Sequence, residues 1–393
     1  MSVSPTRSEE VPSGAVELRE DAPLQSAAAE GRGGARAIAA GFAALALAIT
    51  VALLTQVYSG HYQVVPHGAV STAGAVCSGA GLAALRAGGG AADAAVAAAL
   101  CLAHTQPHLT GLDSSGAMLF WEYRKSRSEK PVLVQWGEQQ EEEVPRLLAG
   151  LAAVHARWGV RPWGELIQLA NVSAAAPSSL SAAVRALPAA ERAALGELAG
   201  AADGGVVLRP RLDSFLHRLQ GNSSKEWCSV WRCDRLVTFG TVSGRAAGEG
   251  WRLYDVSPPS PLDSVEPETA PVASGVAVVD HRDVYLSLVI GMRRELGART
   301  AAAAGWLRGG RGAAGLSPAL LVTARVCGRR YVVAAGERRA GELVLARLPG
   351  GDLRAAVEEP REGAPAAVNV VGQDGDRLAA HADSRAEGVA ARF

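Results

Sequence analysis

The chain has 393 residues, of which 48% are hydrophobic and 20% are charged, so it is long and apolar enough to bury a large core. This composition excludes an intrinsically disordered protein. Basic and acidic residues each number 39, so no overall charge favours a nucleic-acid partner. The length allows one large α/β unit or two smaller domains.

The N-terminal part predicts a membrane anchor. Residues 1–36 are polar and small, which is typical of a disordered tail, and Ala37–Val57 then runs for 21 residues without a charge. At about 1.5 Å per residue, such a helix crosses a hydrocarbon core of roughly 30 Å. A buried helix of a soluble protein is the alternative. The segment begins too far into the chain to resemble a cleaved signal peptide.

The flanking charges predict the orientation of this span. Arg32 and Arg36 precede it, whereas only His61 and His67 follow closely. The positive-inside bias therefore places the tail in the cytosol and the C-terminal domain in an extracellular or lumenal space, as in a single-pass type II protein. Two glycosylation sequons would then carry glycans, at Asn171 and Asn222.

The cysteine positions do not match a zinc site, and we expect no metal and no cofactor. Cys228 and Cys233 are close in sequence, and an oxidising compartment would permit a disulfide between them. For Cys77, Cys101 and Cys327, a free buried thiol is an equal alternative.

Apolar patterning beyond the span predicts alternating helices and strands. We expect an early strand at Ala69–Thr72, and two alanine-rich helices at Gly74–Ala87 and Ala91–Ala103. Asp93 lies near the start of the second helix, where a carboxylate suits the helix dipole. The remaining predicted elements are strands at Ala117–Tyr123 and Pro131–Trp136, a helix-loop-helix from Val144, and a strand-turn-strand after Pro271 with its turn at Asp280–Asp283.

Ordered motifs in the first third of the chain resemble a known family. They are Gly88-Gly89-Gly90-Ala91-Ala92-Asp93, then Gln106-Pro107-His108, then Thr110-Gly111-Leu112-Asp113-Ser114-Ser115-Gly116. Their order is similar to the opening of the large subunit of γ-glutamyltransferases, also called glutathione hydrolases. Arg157-Trp158-Gly159 and Pro162-Trp163 continue the resemblance, and the short type II arrangement is similar to the gamma-glutamyltransferase 6 branch of the family.

The resemblance returns at Pro271 and follows the order of the family's small subunit. The motifs include Leu316-Ser317-Pro318, Tyr331-Val332-Val333-Ala334-Ala335, Glu358-Glu359-Pro360-Arg361 and His381-Ala382-Asp383-Ser384-Arg385. The resemblance implies an α/β fold of the N-terminal nucleophile hydrolase type, an αββα sandwich. It also implies a large-subunit-like region at 58–272 and a small-subunit-like region at 273–393.

Family members cleave their own precursor to expose a threonine, whose hydroxyl attacks the γ-glutamyl carbonyl. The resemblance aligns this threonine with Ala273, whose methyl side chain has no nucleophilic atom. Ser274 is the substitute candidate, but a shift of one residue along a strand turns a side chain to the opposite face.

The other family site positions also differ in this sequence. The arginine that binds the substrate carboxylate aligns within Trp136-Gly137-Glu138, and the glycine pair of the oxyanion hole aligns with Glu337-Arg338. The two acidic residues with which the family binds the amino group of the substrate have no counterpart here, and the stretch Ala301–Gly315 stands in their place. Ser317 is the one retained polar contact that we expect.

Three functions remain open. The resemblance implies hydrolysis of glutathione or transfer of its γ-glutamyl group, with Ser274 as the nucleophile. The altered site residues favour a second reading, a membrane-anchored, non-catalytic paralogue that binds γ-glutamyl compounds such as glutathione, a protein partner or an active relative. An α/β domain without a ligand is the third.

Overall fold

The structure is a computed structural model, and it describes thirteen stretches of the chain. These are residues 31–59, 67–124, 130–137, 144–171, 176–248, 250–256, 272–310, 316–323, 328–335, 340–348, 353–358, 368–384 and 388–393. The chain divides into two compact units, Met1–Gln63 and Val64–Phe393. The predicted tail at 1–30 and Cys327 therefore lie outside the described residues.

The first unit contains one helix, α1, at Gly31–Ser59. Its segment Gly34–Thr55 is long and apolar enough to span a membrane, and none of this segment is buried within the protein. Large apolar side chains such as Phe42 and Leu47 are exposed on it. The helix begins at Gly31, six residues before the predicted apolar span, and so includes the last residues of the stretch 1–36 that was predicted as a tail.

The second unit contains two antiparallel sheets. Sheet 1 has seven strands in the order β13-β1-β7-β8-β2-β3-β4, and sheet 2 has six in the order β12-β11-β10-β9-β6-β5. The strands are β1 Ala69–Thr72, β2 Ser115–Glu122, β3 Val132–Trp136, β4 Val237–Thr241, β5 Arg245–Ala246, β6 Trp251–Asp255, β7 Val272–Val279, β8 Val284–Met292, β9 Ala319–Thr323, β10 Arg330–Ala335, β11 Val368–Asp374, β12 Arg377–Ala382 and β13 Val389–Arg392.

Helices lie outside both sheets. They are α2 Ala75–Arg86, α3 Ala91–Thr105, α4 Arg146–Trp158, α5 Trp163–Ala170, α6 Ser178–Arg185, α7 Ala189–Ala194, a 3-10 helix Gly196–Asp203, α8 Pro210–Leu219, α9 Ser224–Val230, α10 Cys233–Leu236, α11 Ala340–Arg347 and α12 Leu353–Glu358. Among them, α6, α7 and the 3-10 helix pack mainly on one another. The predicted elements of residues 69–170 are confirmed, with ends that shift by one or two residues.

The described part of the second unit has four hydrophobic clusters, of which three lie between the four layers and the fourth packs α6 and the 3-10 helix against Leu296 and Leu307. The first joins sheet 1 to α2–α5, and the second joins the inner faces of the two sheets. The third joins sheet 2 to α11 and α12. The order is therefore helix, sheet, sheet, helix, in agreement with the predicted αββα sandwich.

The alanine-rich helix α3 lies at the centre of the first core. Gly90 caps its start, and the Asp93 carboxylate accepts a hydrogen bond from the Gly90 N–H at 2.8 Å. Asp93 also accepts hydrogen bonds from the backbone of Val160 and Arg161. The prediction that Asp93 lies in the first turn of this helix is confirmed, and its charge is satisfied by backbone donors in a buried place.

The hairpin of β7 and β8 is the centre of sheet 1. Asp280 makes its turn, because its Oδ1 accepts hydrogen bonds from the backbone N–H groups of Arg282 and Val284. The Ser287 hydroxyl donates to Val333 O at 2.6 Å and so ties β8 to sheet 2. Asn369 Nδ2 donates to Gly275 O at 3.1 Å and ties β7 to the same sheet. The Asp280 bonds therefore hold the turn, and the bonds of Ser287 and Asn369 attach both strands of the hairpin to sheet 2.

Candidate functional site

Four residues form a row across one end of sheet 1, which we call the edge row. Ala273 pairs with Gly291, and Gly291 pairs with Ser115. Gly137 follows β3 directly and lies against Ser115. Because neighbouring strands lie about 4.8 Å apart, the row extends over roughly 14 Å. The edge row therefore brings together two positions that the family resemblance marks, Ala273 and Gly137.

Ala273 and Ser274 point to opposite faces of the sheet. Ala273 packs with Ala277 in the core between the two sheets. Ser274 alternates with Ala273 along β7 and shares the face of Val276 and Val278, which pack against the helices. The predicted substitute nucleophile therefore lies on the side of the sheet away from Ala273.

Ser274 is fully buried, with 0% of its surface exposed. Its Oγ has no hydrogen-bond partner in the described part of the chain. Leaving a buried hydroxyl unpaired costs about 1–3 kcal/mol. A catalytic serine needs a base within hydrogen-bond reach, and the Ser274 hydroxyl contacts none among the described residues.

A buried ion pair closes the Gly137 end of the edge row. Arg146 Nε lies 2.7 Å from Asp113 Oδ1, and both residues are buried. The same guanidinium donates to Gly310 O at 2.8 Å and to Gly137 O at 3.3 Å. Asp113 Oδ2 in turn accepts from the Gly309 N–H at 2.7 Å. Arg146 thus holds three separate segments together with its own hydrogen-bond donors.

Gly137 has a backbone conformation that favours glycine. Its φ is +114°, and a Cβ at this position would lie 2.2 Å from Ser115 Oγ. Gly137, which lies within the stretch that the resemblance aligns with the family's arginine, therefore cannot carry a side chain without a backbone shift. Glu138, the next residue, lies outside the described residues.

The Gln106-Pro107-His108 motif follows α3 directly and connects it to the end of β1 and to α6. Gln106 Nε2 donates to Ala73 O at 2.9 Å, which holds the loop against the end of β1. His108 Nε2 lies 3.1 Å from Ser179 Oγ, and burial lowers the pKa of His108 to about 4. The imidazole is therefore neutral at pH 7 and acts as a packing group with one hydrogen bond.

The remaining predicted site residues are dispersed. Ser317 is half-buried and lies two residues before β9, and Asn171 and Asn222 are exposed. Glu337, Arg338 and residues 311–315 lie outside the described residues. No group of three His, Cys, Asp or Glu side chains in the described stretches is placed to hold a metal ion.

Two buried contacts were not predicted from the sequence. Cys77 and Cys101 form a disulfide with a Cα–Cα distance of 5.3 Å, and it joins α2 to α3. The signal available in the sequence for this disulfide was the position of Cys77 and Cys101 among apolar alanines. The second contact is made by His155, whose Nδ1 lies 2.7 Å from Ser224 Oγ and whose Nε2 lies 2.8 Å from Arg161 O. The Cys228–Cys233 disulfide, which the sequence did predict, is also formed.

Comparison with known families and proteins agrees with the motif order. A family model described as gamma-glutamyltranspeptidase matches residues 77–198. Human glutathione hydrolase 7 is 34% identical over 176 residues, which cover 39% of this chain and 26% of that protein. Human glutathione hydrolase 6 is 41% identical over 98 residues, which cover 24% of this chain and 19% of that protein. The aligned region thus spans about a quarter of the length of these relatives.

Among solved structures, the cephalosporin acylase of Bacillus halodurans has a similar fold. The two superpose with a TM-score of 0.65 over 83% of this chain and 96% of that chain, at 12% sequence identity. At that identity the similarity concerns the fold alone. The family model ends at residue 198, so the alignment of Ala273 with the family's threonine stays a prediction.

Proposed function

We propose that this chain, which belongs to the gamma-glutamyltranspeptidase family over residues 77–198, is a membrane-anchored member without γ-glutamyl cleavage activity. The observation that carries the proposal is the side chain at the start of β7. Ala273 offers a methyl group towards the space between the sheets, whereas the family reaction needs a hydroxyl there. Neither self-cleavage nor attack on a substrate carbonyl can start from alanine.

The surroundings of the edge row support the same proposal. A substrate carboxylate needs a guanidinium with free donors, and Arg146 already uses its own on Asp113 and on two carbonyl groups. Gly137 cannot supply one in its place, because its φ of +114° disfavours any side chain. Loss of a guanidinium or an oxyanion donor typically removes on the order of several kcal/mol of transition-state stabilisation.

The membrane part of the proposal rests on α1. Its apolar segment Gly34–Thr55 is exposed along its length, which is favourable in lipid and costly in water. The exposed positions of Asn171 and Asn222 agree with glycosylation outside the cytosol. We propose a single-pass type II arrangement, with a large-subunit-like region at 58–272 that stays joined to a small-subunit-like region at 273–393.

Such a protein would bind γ-glutamyl compounds such as glutathione, or a protein partner, without turnover. The relatives that match this chain bear the name glutathione hydrolase. Ser317 is the polar residue that we propose to retain a substrate contact.

The second candidate function is an active glutathione hydrolase with Ser274 as the nucleophile. Its support is the unpaired Ser274 hydroxyl, which lies next to Ala273 at the start of β7. For this function the strand would have to shift by one residue, so that Ser274 faces the space between the sheets.

One experiment separates these two functions. The full chain is purified from membranes, deglycosylated, and measured by mass spectrometry and by release of glutamate from glutathione. We expect a single chain near 40.4 kDa and no glutamate above background. A fragment that begins at Ser274, together with glutamate release that disappears in Ser274→Ala, would establish the active hydrolase instead.

The topology is tested separately in sealed vesicles. We expect a glycosidase-sensitive mass shift that is lost in the Asn171→Gln, Asn222→Gln double variant. Digestion of the C-terminus by a protease added to the cytosolic side would contradict the type II arrangement.

A further inference from the structure

A cavity of about 350 Å³ lies between α8 and the loop that follows Thr300, and none of the four edge-row residues lines it. We call it the α8 groove. Its lining residues are Pro210, Arg211, Ser214, Arg218, Ala303 and Ala304. They include two arginines and no acidic residue, so the lining carries a formal charge of +2.

The polar residues of the α8 groove share one face of the helix. Arg211, Ser214 and Arg218 are spaced at i, i+3 and i+7, which places their side chains along one stripe. Seven residues of helix span about 10 Å, so the two guanidinium groups originate at the two ends of the groove with a hydroxyl between them.

Neither guanidinium is fully occupied by a carboxylate of the described residues. Glu197 Oε1 lies 3.9 Å from Arg211 Nε, beyond hydrogen-bond distance, and 71% of the Arg211 side chain is exposed. Arg218 lies over the ring of Phe215 at 5.9 Å and has no ion pair in the described part of the chain. Both guanidinium groups therefore have donors available to a ligand.

A third arginine lies behind the wall of the groove. Arg209 is only 4% exposed and donates to two carbonyl groups, His104 O at 3.1 Å and Gly305 O at 3.3 Å. Its Nε has no partner among the described residues. Burial lowers the pKa of Arg209 to about 10, so it is still charged at pH 7. The carboxylates of Glu197 and Asp213 act on this pKa in the opposite direction to burial, so they offset part of the positive charge of Arg209.

The opposite wall offers backbone donors. Gly305 N donates to Ala302 O at 2.9 Å and closes a four-residue turn. The central residues of this turn are Ala303 and Ala304, and their amides take part in no backbone hydrogen bond of the described chain. Such amides are suited to anionic oxygens.

We propose that the α8 groove is a binding site for a small anion that carries oxyanion groups at both ends, either carboxylates or phosphates. Arg211 and Arg218 each bind one end through charge-assisted hydrogen bonds, and Ser214 contacts the middle. The proposal does not rest on the chemistry of the edge row, and it stands or falls separately from the proposed function.

The test is thermal unfolding of the full chain in detergent at constant ionic strength. Two probes distinguish the ligand classes, tripolyphosphate for phosphates and pimelate for dicarboxylates. We expect at least one probe to raise the melting temperature with increasing concentration, because a ligand that binds only the folded state stabilises it.

Variants of the two arginines test whether the rise in melting temperature comes from binding at the α8 groove. Arg211→Gln and Arg218→Gln should each weaken the apparent affinity roughly tenfold, and their combination should remove the shift. Arg235→Gln is the matched control, since it removes an exposed arginine of α10 and should leave the shift intact. No shift with either probe, or a shift that persists in the Arg211→Gln, Arg218→Gln double variant, would overturn the proposal.

Discussion

His381 Nε2 lies 2.8 Å from Glu358 Oε1 and thereby joins the end of β12 to the last residue of α12. The two residues belong to different motifs and are 23 positions apart in the chain. Hydrogen bonds from His381, and then from Ser384 and Arg354, lower the pKa of Glu358 from 4.5 to about 2. The carboxylate is therefore a link between sheet 2 and its covering helix.

This link predicts a pH dependence of stability. A lowered pKa means that the folded state favours the ionised Glu358, so its contribution is complete above about pH 4.5. The contribution is then lost as the pH falls from 4.5 towards 2. We expect Glu358→Gln to have a lower melting temperature than the wild type at pH 7, and the difference to shrink below pH 4.5.

Asp376→Asn provides the control for this measurement. Asp376 is exposed in the turn between β11 and β12, and its removal should leave the melting temperature unchanged across the same range. A Glu358→Gln difference that keeps its full size at pH 3 would contradict the prediction.

Because the Ser274 hydroxyl has no partner among the described residues, its removal should not lower the stability of the fold. Ser274→Ala removes a buried polar atom that has no partner among the described residues, so stability should stay the same or rise by about 1 kcal/mol. Ser287 is the matched control, because it is equally buried but donates to Val333 O and accepts from Ala319 N. Ser287→Ala should lower the unfolding free energy by about 1–3 kcal/mol. Chemical denaturation measures both, and a strong loss in Ser274→Ala would reveal a contact of its hydroxyl.

The backbone conformation of Gly137 explains why an arginine side chain cannot be placed at this position of the edge row. Its φ is +114°, and a Cβ added to it would lie 2.2 Å from Ser115 Oγ. Even Gly137→Ala should therefore destabilise the fold by more than about 1 kcal/mol in chemical denaturation. Gly79→Ala in α2 is the control, since no atom lies within 4 Å of its added methyl group. That change should be neutral or stabilising by about 1 kcal/mol, because alanine favours the helix.

The same constraint bears on rescue of activity. Ala273→Thr restores a hydroxyl, but a nucleophile alone does not restore the transition-state contacts of the missing guanidinium and oxyanion groups. Adding Gly137→Arg should disturb the end of β3 instead of supplying a guanidinium. We expect neither Ala273→Thr nor the double variant to release glutamate from a γ-glutamyl anilide. Release by Ala273→Thr alone would show that the binding site is intact.

Arg146 should be among the most sensitive positions of the second unit. Arg146→Met leaves the Asp113 carboxylate buried without its cation, which costs about 3–5 kcal/mol of unfolding free energy. Arg124→Met is the comparison, because Arg124 pairs with Asp283 at the surface and such pairs contribute about 0–1 kcal/mol. Equal denaturation midpoints for the two variants would show that the Arg146 pair is not structurally important.

The sequence predicted most of the central fold. Alternation and turn signals located the β7–β8 hairpin, and the glycines before Ala91 located the start of α3. These features depend on neighbours along the chain. The short helices between Ser178 and Leu236 were not predicted, because their stability comes from packing on other elements and their own periodicity is brief.

The candidate site was harder to predict, since its geometry depends on distant segments. The resemblance marked Ala273 and Gly137, but their common row follows from the pairing of four strands. Arg146 looked like an ordinary residue at a helix start, and only the structure shows its bonds to Asp113 and Gly310. The positive φ of Gly137 also has no signal in sequence beyond the glycine itself.

The disulfide between Cys77 and Cys101 has a consequence for how the edge row can open. It fastens α3 to α2, and the loop that leaves α3 continues through Gln106 and Asp113 into β2. One wall of the site is therefore covalently tethered to the helical layer. The Gly309–Gly310 segment is held by hydrogen bonds to Asp113 and Arg146, and no disulfide among the described residues fastens it. Local opening at the Gly137 end of the edge row is therefore easier on the Gly309–Gly310 side than on the side of α3, which the disulfide fastens to α2.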